Sequence, residues 1–88
     1  MLIQFDSAKN NTNIAKHGVS LQLAEQLEWD TLWAKRDVRQ DYAELRVIGF
    51  AYIELRLFCV IFVDRGDVRR IISLRKANPR EVNRYAQA

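Results

Sequence analysis

The chain has one cysteine, one proline, one histidine and three glycines among its 88 residues. Each scarcity excludes something. A single cysteine, Cys59, forms no internal disulfide, and it lies inside the apolar run Leu57–Val63, where a free thiol behaves as a small buried hydrophobe. Such usage fits a reducing, cytoplasmic setting. One histidine beside one buried cysteine gives no zinc-ligand spacing. Few prolines and glycines, with 49% hydrophobic residues, favour a folded domain over disorder. No apolar run approaches the roughly 18 residues of a membrane helix, and Met1–Phe5, cut off by Asp6, is too short for a signal peptide. Glycine-rich phosphate loops and Ser-His-Asp arrangements are both missing.

What is present is a lopsided charge. Residues 1–63 hold seven basic and eight acidic side chains, whereas residues 64–88 hold seven basic and three acidic ones. A cationic final quarter implies a polyanion, an acidic protein partner, or both. The length suits one domain, residues 1–88, with one core.

The centre of that domain is read from Leu57–Ala77. Seven apolar or sulfur-bearing residues, Leu57–Val63, predict a strand buried on both faces. Asp64-Arg65-Gly66-Asp67 supplies turn chemistry, and Val68–Arg75 follows as a strand that mixes apolar residues with arginine. Arg69 and Arg75 share one strand parity, while Arg70 shares the other with Val68, Ile72 and Leu74. A third strand runs from Leu45 to Ile53, with Gly49 at a bulge or close contact, and Glu54-Leu55-Arg56 turns it back.

Upstream, Leu2–Phe5 reads as an edge strand. Asp6 caps a helix over Ser7–Lys16 that Gly18 closes, and Ser20 caps a second helix over Leu21–Glu28 with Leu23, Ala24 and Leu27 facing inward. Trp29–Asp37 is ambiguous, with a short strand at Leu32–Ala34, and Arg36–Arg46 reads as a charged loop. Asn78, Pro79 and Glu81 form a cap, first turn and capping box for a last helix that turns Val82, Tyr85 and Ala86 inward, with Arg80 and Arg84 together on another face. The class is α+β: a small antiparallel sheet of three to five strands, two N-terminal helices and a C-terminal helix.

Several side chains could carry chemistry. Asp37, Asp41 and Glu44 could hold Mg²⁺ with a substrate phosphate, but Arg36, Arg39 and Arg46 interleave with them and ion pairing is the simpler reading. His17 follows Lys16 at a predicted helix end. Arg75 at the end of an interior strand needs an anionic partner if it is buried. For the ribonuclease that the resemblance given next implies, these residues would allow a metal-free cut in which the RNA 2′-hydroxyl attacks the adjacent phosphorus. His17, Glu44 or Glu81 could act as base, and His17 or Tyr85 as acid. Arg65, Arg70 and Arg75 with Lys16 could clamp phosphate, and Arg69 and Lys76 are further substrate-binding candidates.

Four blocks resemble the BrnT family of toxins from bacterial type II toxin–antitoxin pairs. They are Phe5-Asp6 with Lys9, Asn13 and Lys16-His17-Gly18-Val19; Asp37-x-Arg39-x-Asp41-Tyr42-x-Glu44-x-Arg46; Arg65-Gly66 with Arg70-Ile71-Ile72-Ser73; and Arg75-x-Ala77 with Glu81 and Tyr85. Ala43, Phe62 and Leu74 stand where the family commonly has glycine, tyrosine and alanine, and Leu74 is bulky enough to crowd the surface near Arg75. The resemblance implies a fold similar to RelE and ParE toxins. It also implies a ribonuclease; for that activity the chemistry above makes His17, Arg65, Arg75, Glu81 and Tyr85 the catalytic candidates and Lys16, Arg69, Arg70 and Lys76 the substrate-binding ones, with no cofactor. Its expected partner is a ribbon-helix-helix antitoxin, with which it forms a hetero-oligomer that binds operator DNA through the antitoxin. Two other readings remain open: a ParE-like toxin that poisons a topoisomerase without catalysis, and a basic RNA- or protein-binding module.

Overall fold

The structure, a computed structural model, describes residues 1–88. In chain order its elements are β1 (Leu2–Gln4), α1 (Ser7–His17), a 3₁₀ segment (Leu21–Gln26), β2 (Glu28–Arg36), β3 (Val47–Ile53), β4 (Arg56–Arg65), β5 (Val68–Lys76) and α2 (Pro79–Ala86). The five strands form one sheet in the order β1-β5-β4-β3-β2. The sheet is mixed: β2 to β5 pair antiparallel, but β1 runs parallel to β5, with Leu2 opposite Val68 and Gln4 opposite Arg70. No helix is long and apolar enough to cross a membrane.

β4 lies at the middle of the sheet, and six of the seven residues of Leu57–Val63 are buried. Its alternation separates two clusters. Phe58, Val60 and Phe62 join Leu21, Ala24, Leu27, Ile71 and Leu74 on one face; Leu57 and Cys59 join Phe50 and Ala77 on the other, with Tyr85 packed on them. The 3₁₀ segment covers the first face and α2 the second. The β4–β5 hairpin closes through Gly66 and Asp67, with Gly66 at φ 61°, the left-handed conformation such a turn requires of its first central residue.

The second N-terminal helix predicted from Leu21 is 3₁₀ and ends at Gln26. Its buried residues Leu21 and Ala24 and the buried Leu27 that caps its end recur every three positions, the period of a 3₁₀ helix, in which i and i+3 eclipse. The chain therefore has one N-terminal α-helix and one C-terminal α-helix. The ambiguous stretch after Trp29 is the full edge strand β2. In α2 the residues that turn inward are Glu81 and Tyr85; Val82 is 40% exposed and Ala86 is exposed. The capping box of α2 is present, with Asn78 and Glu81 exchanging bonds of 2.9 Å.

The predicted parity of β5 fails at one residue. Ile61 pairs with Ser73 but Phe62 pairs with Ile71, so Ile72 is an extra residue in a β-bulge. The bulge exchanges faces, so Arg69 and Arg75 lie on opposite sides of the sheet. Arg69 packs over the rings of Trp29 and Phe62, at 4.7 and 4.1 Å, and forks onto Asp64. Arg70, Ser73 and Arg75 share the other face. Leu74 points into the first cluster and is fully buried, so it does not crowd the surface near Arg75.

Candidate nucleic-acid interface

α1 begins at Asp6, whose carboxylate accepts from Lys9 N at 3.0 Å, and ends at Gly18 in the left-handed conformation. Between those caps, positions 9, 12, 13, 16 and 17 recur at helical spacing and line one side of α1. That side faces the outer edge of β5. Asn13 is the buried contact: its amide donates to Leu74 O at 2.7 Å and Val19 O at 2.8 Å, while its oxygen accepts from Leu74 N at 3.2 Å. β1 pairs with β5 only as far as Arg70, and Asn13 engages it at Leu74. Between those two anchorages, over Ile72 and Ser73, a groove of about 330 Å³ opens, flanked by Lys9, Lys16 and His17.

A second groove, of about 210 Å³, shares Lys9 and Ile72 with the first and continues past Arg70 and Arg65 to Glu44, Arg46 and Tyr42. Five lysine and arginine side chains therefore face a single carboxylate across the two grooves, with His17 at one end. Arg65 forks onto Glu44, Nε donating at 2.7 Å and Nη2 to the other oxygen, and this guanidinium holds the Glu44 carboxyl below its ordinary range. Arg70 adds a weaker pull in the same direction. A cationic trough with one exposed, already paired carboxylate is suited to a chain of phosphates.

The far wall is the 37–46 loop. Asp37 N donates to Arg46 O at 2.8 Å and closes it. The Asp37 side chain, 1% exposed, accepts from Arg39 Nε at 2.9 Å and Nη2 at 2.8 Å, from Arg39 N at 3.2 Å, and from the Tyr42 hydroxyl at 3.3 Å. Bonding to Arg39 lowers the Asp37 pKa to about 2 against the opposing cost of burial. Of the loop's carboxylates, Asp37 pairs with an interleaved arginine, Arg39, whereas Glu44 takes its partner, Arg65, from the end of β4.

Residues 5–81 match the model of the BrnT family, described as the ribonuclease toxin of a type II toxin–antitoxin system. The chain belongs to that family. Among individually curated proteins none matches it. Membership in a type II system implies an antitoxin partner.

Of the residues proposed from sequence for the BrnT-type site, the structure gathers Lys16, His17, Arg65 and Arg70 along the two grooves. Arg75, Glu81 and Tyr85 gather elsewhere, beneath α2. Arg75 forks onto Glu81 with two bonds of 2.8 Å, which holds the Glu81 carboxyl below its ordinary range. Tyr85 donates to Thr31 O at 2.6 Å and packs edge-on against Tyr52 and Trp33. Arg69 and Lys76 lie on the opposite sheet face, Lys76 opposite Phe58. Lys9, Ser73, Tyr42 and Arg46 line the grooves without having been singled out as site residues. The stripe Lys9–Asn13–Lys16/His17, polar at helical spacing on a helix that also needs an inward face, was the readable sign for the first of these.

Proposed function

We propose that this chain is a ribonuclease toxin that cuts RNA without a metal, stops translation and growth, and is silenced by a ribbon-helix-helix antitoxin. The single observation that carries the reading is the continuous cationic trough ending at the only histidine, in a member of a ribonuclease toxin family. The likeness to RelE and ParE belongs to the same proposal. It is supported by a sheet covered by N-terminal elements on one side and by α2 on the other. Operator binding through the antitoxin, a hetero-oligomer with it and a cytoplasmic setting belong here too.

In this mechanism the RNA 2′-oxygen attacks the neighbouring phosphorus, and its proton passes to a base. Charge builds on the two non-bridging oxygens, where Arg65, Arg70, Lys9 and Lys16 neutralise it. The 5′-oxygen leaves and takes a proton, giving a 2′,3′-cyclic phosphate and a 5′-hydroxyl. Imidazole is the side chain that most readily exchanges a proton near neutrality, so His17 is assigned to one of the two transfers. Ser73, beside it in the groove, can hold a phosphate oxygen. Arg75, Glu81 and Tyr85 are assigned to holding α2 on the sheet, since they line neither groove and bond one another or Thr31 across that face.

The test is cleavage of single-stranded RNA in EDTA. The purified protein is expected to give 2′,3′-cyclic ends, and His17→Ala to slow cleavage by about 10²–10⁴-fold, the range of one proton-transfer group. Binding should weaken with salt, with a log–log slope no steeper than about −3.5 if all five trough cations meet phosphates. Cleavage that requires Mg²⁺ overturns the metal-free scheme. Toxicity that survives both His17→Ala and Arg70→Ala would instead favour a ParE-like topoisomerase poison.

A further inference from the structure

The loop that walls the second groove is more elaborate than a wall requires. Asp37 ties Arg39, Tyr42 and the Arg46 carbonyl into one closed unit, so the Tyr42 ring is fixed at its hydroxyl end by a buried carboxylate. On that ring lies Arg46, its guanidinium carbon 4.2 Å from the ring centroid. Arg46 takes part in none of the chain's four ion pairs. The structure thus holds a planar cation over the face of an aromatic ring that is anchored at its hydroxyl. It does so where the second groove adjoins a third, of about 280 Å³, formed by the 37–46 loop itself; Tyr42 and Arg46 line both, and Arg65 and Arg70 stand in the second.

A nucleobase presents a flat π-face that stacks on aromatic rings and on guanidinium planes, and it does so only where it is not already paired in a duplex. Arginine serves this purpose where lysine does not, because its charge is spread over a plane. We propose that the Tyr42–Arg46 pair is a stacking subsite for one unpaired base of the RNA, with the phosphate beside that base held by Arg65 and Arg70. This inference rests on the reading of the grooves as an RNA site and adds the substrate class: single-stranded RNA, with one base position gripped through its face. The ring and the guanidinium offer no hydrogen-bond code of their own, so the subsite recognises the presence of a base more than its identity.

The probe is a short, 2′-O-methylated single-stranded oligoribonucleotide, which lacks the attacking hydroxyl and stays intact while its affinity is measured. Copies carrying one abasic residue, moved through each position in turn, locate the gripped base, and a fully paired duplex of the same sequence serves as comparison. Wild-type protein is expected to bind the single strand more tightly than the duplex, and to lose about 5- to 150-fold at one abasic position, the equivalent of one stacked base. Tyr42→Ala should bind the intact strand as weakly as wild type binds that abasic copy, and should show no further loss with the abasic copy itself. Arg46→Lys keeps the charge but not the plane. It should lose most of the abasic penalty with little change in salt dependence, and it carries the test alone if circular dichroism shows Tyr42→Ala unfolded. An abasic penalty in Arg46→Lys equal to that of wild type overturns the subsite. So does wild-type protein that binds the probe with no penalty at any position. If wild type binds neither strand nor duplex and cleaves no RNA, the ribonuclease reading falls as well; cleavage with the penalty unchanged in the variants removes only the subsite.

Discussion

Cys59 shows how little a residue's identity says before its surroundings are known. It is 2% exposed on the central strand, opposite Arg75 and under α2. Burial dominates its protonation and pushes the thiol up to about 11, although Arg75 pulls the other way. Thiolate is the reactive form, so the raised pKa alone cuts its fraction about 100-fold at neutral pH. Native protein should therefore react with iodoacetamide at least about 100-fold more slowly than a free cysteine, and at the ordinary rate once unfolded in guanidinium chloride. Rapid labelling of the native protein would show that α2 opens from this face. Gly49 makes a similar point. Its backbone is unremarkable in φ, but a Cβ there would come within 2.7 Å of Leu32 and 3.0 Å of Ala34 on β2. A side chain there would make Leu32 move aside and crowd Ala34 and the Trp33 carbonyl, so it is the neighbouring strand, not the residue's own conformation, that favours glycine.

At the scale of elements, Asn13 does the work of a missing strand residue. β1 ends after three residues, and Asn13 then supplies the donor and acceptor that Leu74 would otherwise lack at the sheet edge. Replacing it with alanine strands buried backbone groups of Leu74 and Val19. The expected loss is about 2–4 kcal/mol, seen as a fall in Tm of roughly 10–30 °C for a domain of this size. The exposed neighbour Asn11→Ala should change stability by less than about 0.5 kcal/mol. An Asn13→Ala protein as stable as wild type would mean that the edge is satisfied in another way. The same elements show what was legible beforehand. Caps at Asp6, Gly18 and Asn78 and the Gly66 turn were readable because each depends on a few adjacent residues. The Ile72 bulge was not, because Ile71 and Ile72 are both apolar and nothing local marks which of them is extra. That one residue moved Arg69 away from Arg75 and put Arg70, Ser73 and Arg75 on one face. The parallel pairing of β1 was equally hidden, since three residues carry no sign of direction. The interleaved arginines imply an ion pair for Asp37, yet it also binds Tyr42 and organises a whole loop. Its burial comes from the strands and loop closing around it, which spacing along the chain does not reveal.

For the molecule as a whole, acid should be the sensitive condition. The carboxyls held below their ordinary range are Asp37, Glu44 and Glu81, each by hydrogen bonding to an arginine first. A carboxyl whose pKa is depressed by folding stabilises the native state above its unfolded pKa and loses that contribution as pH falls through its folded one. For Asp37 the window runs from near 4 down to about 2, and for the two glutamates it begins near the ordinary glutamate value. Glu44 is exposed and adds little, as surface pairs do; Asp37 and Glu81 carry the effect. Net charge works in the same direction. At neutral pH eleven carboxylates offset fourteen lysines and arginines, and protonating them leaves those fourteen charges unopposed. The trough concentrates five of them. Urea unfolding midpoints should thus be flat around neutrality and fall steeply below about pH 4.5. Asp37→Asn separates the local cause from the general one. It should be less stable than wild type at pH 7, and the gap should close between pH 4 and pH 2, where wild-type Asp37 itself becomes neutral. A gap that persists unchanged at pH 2 would mean that Asp37 holds the loop by shape and hydrogen bonding alone, and that repulsion within the cationic trough drives acid unfolding.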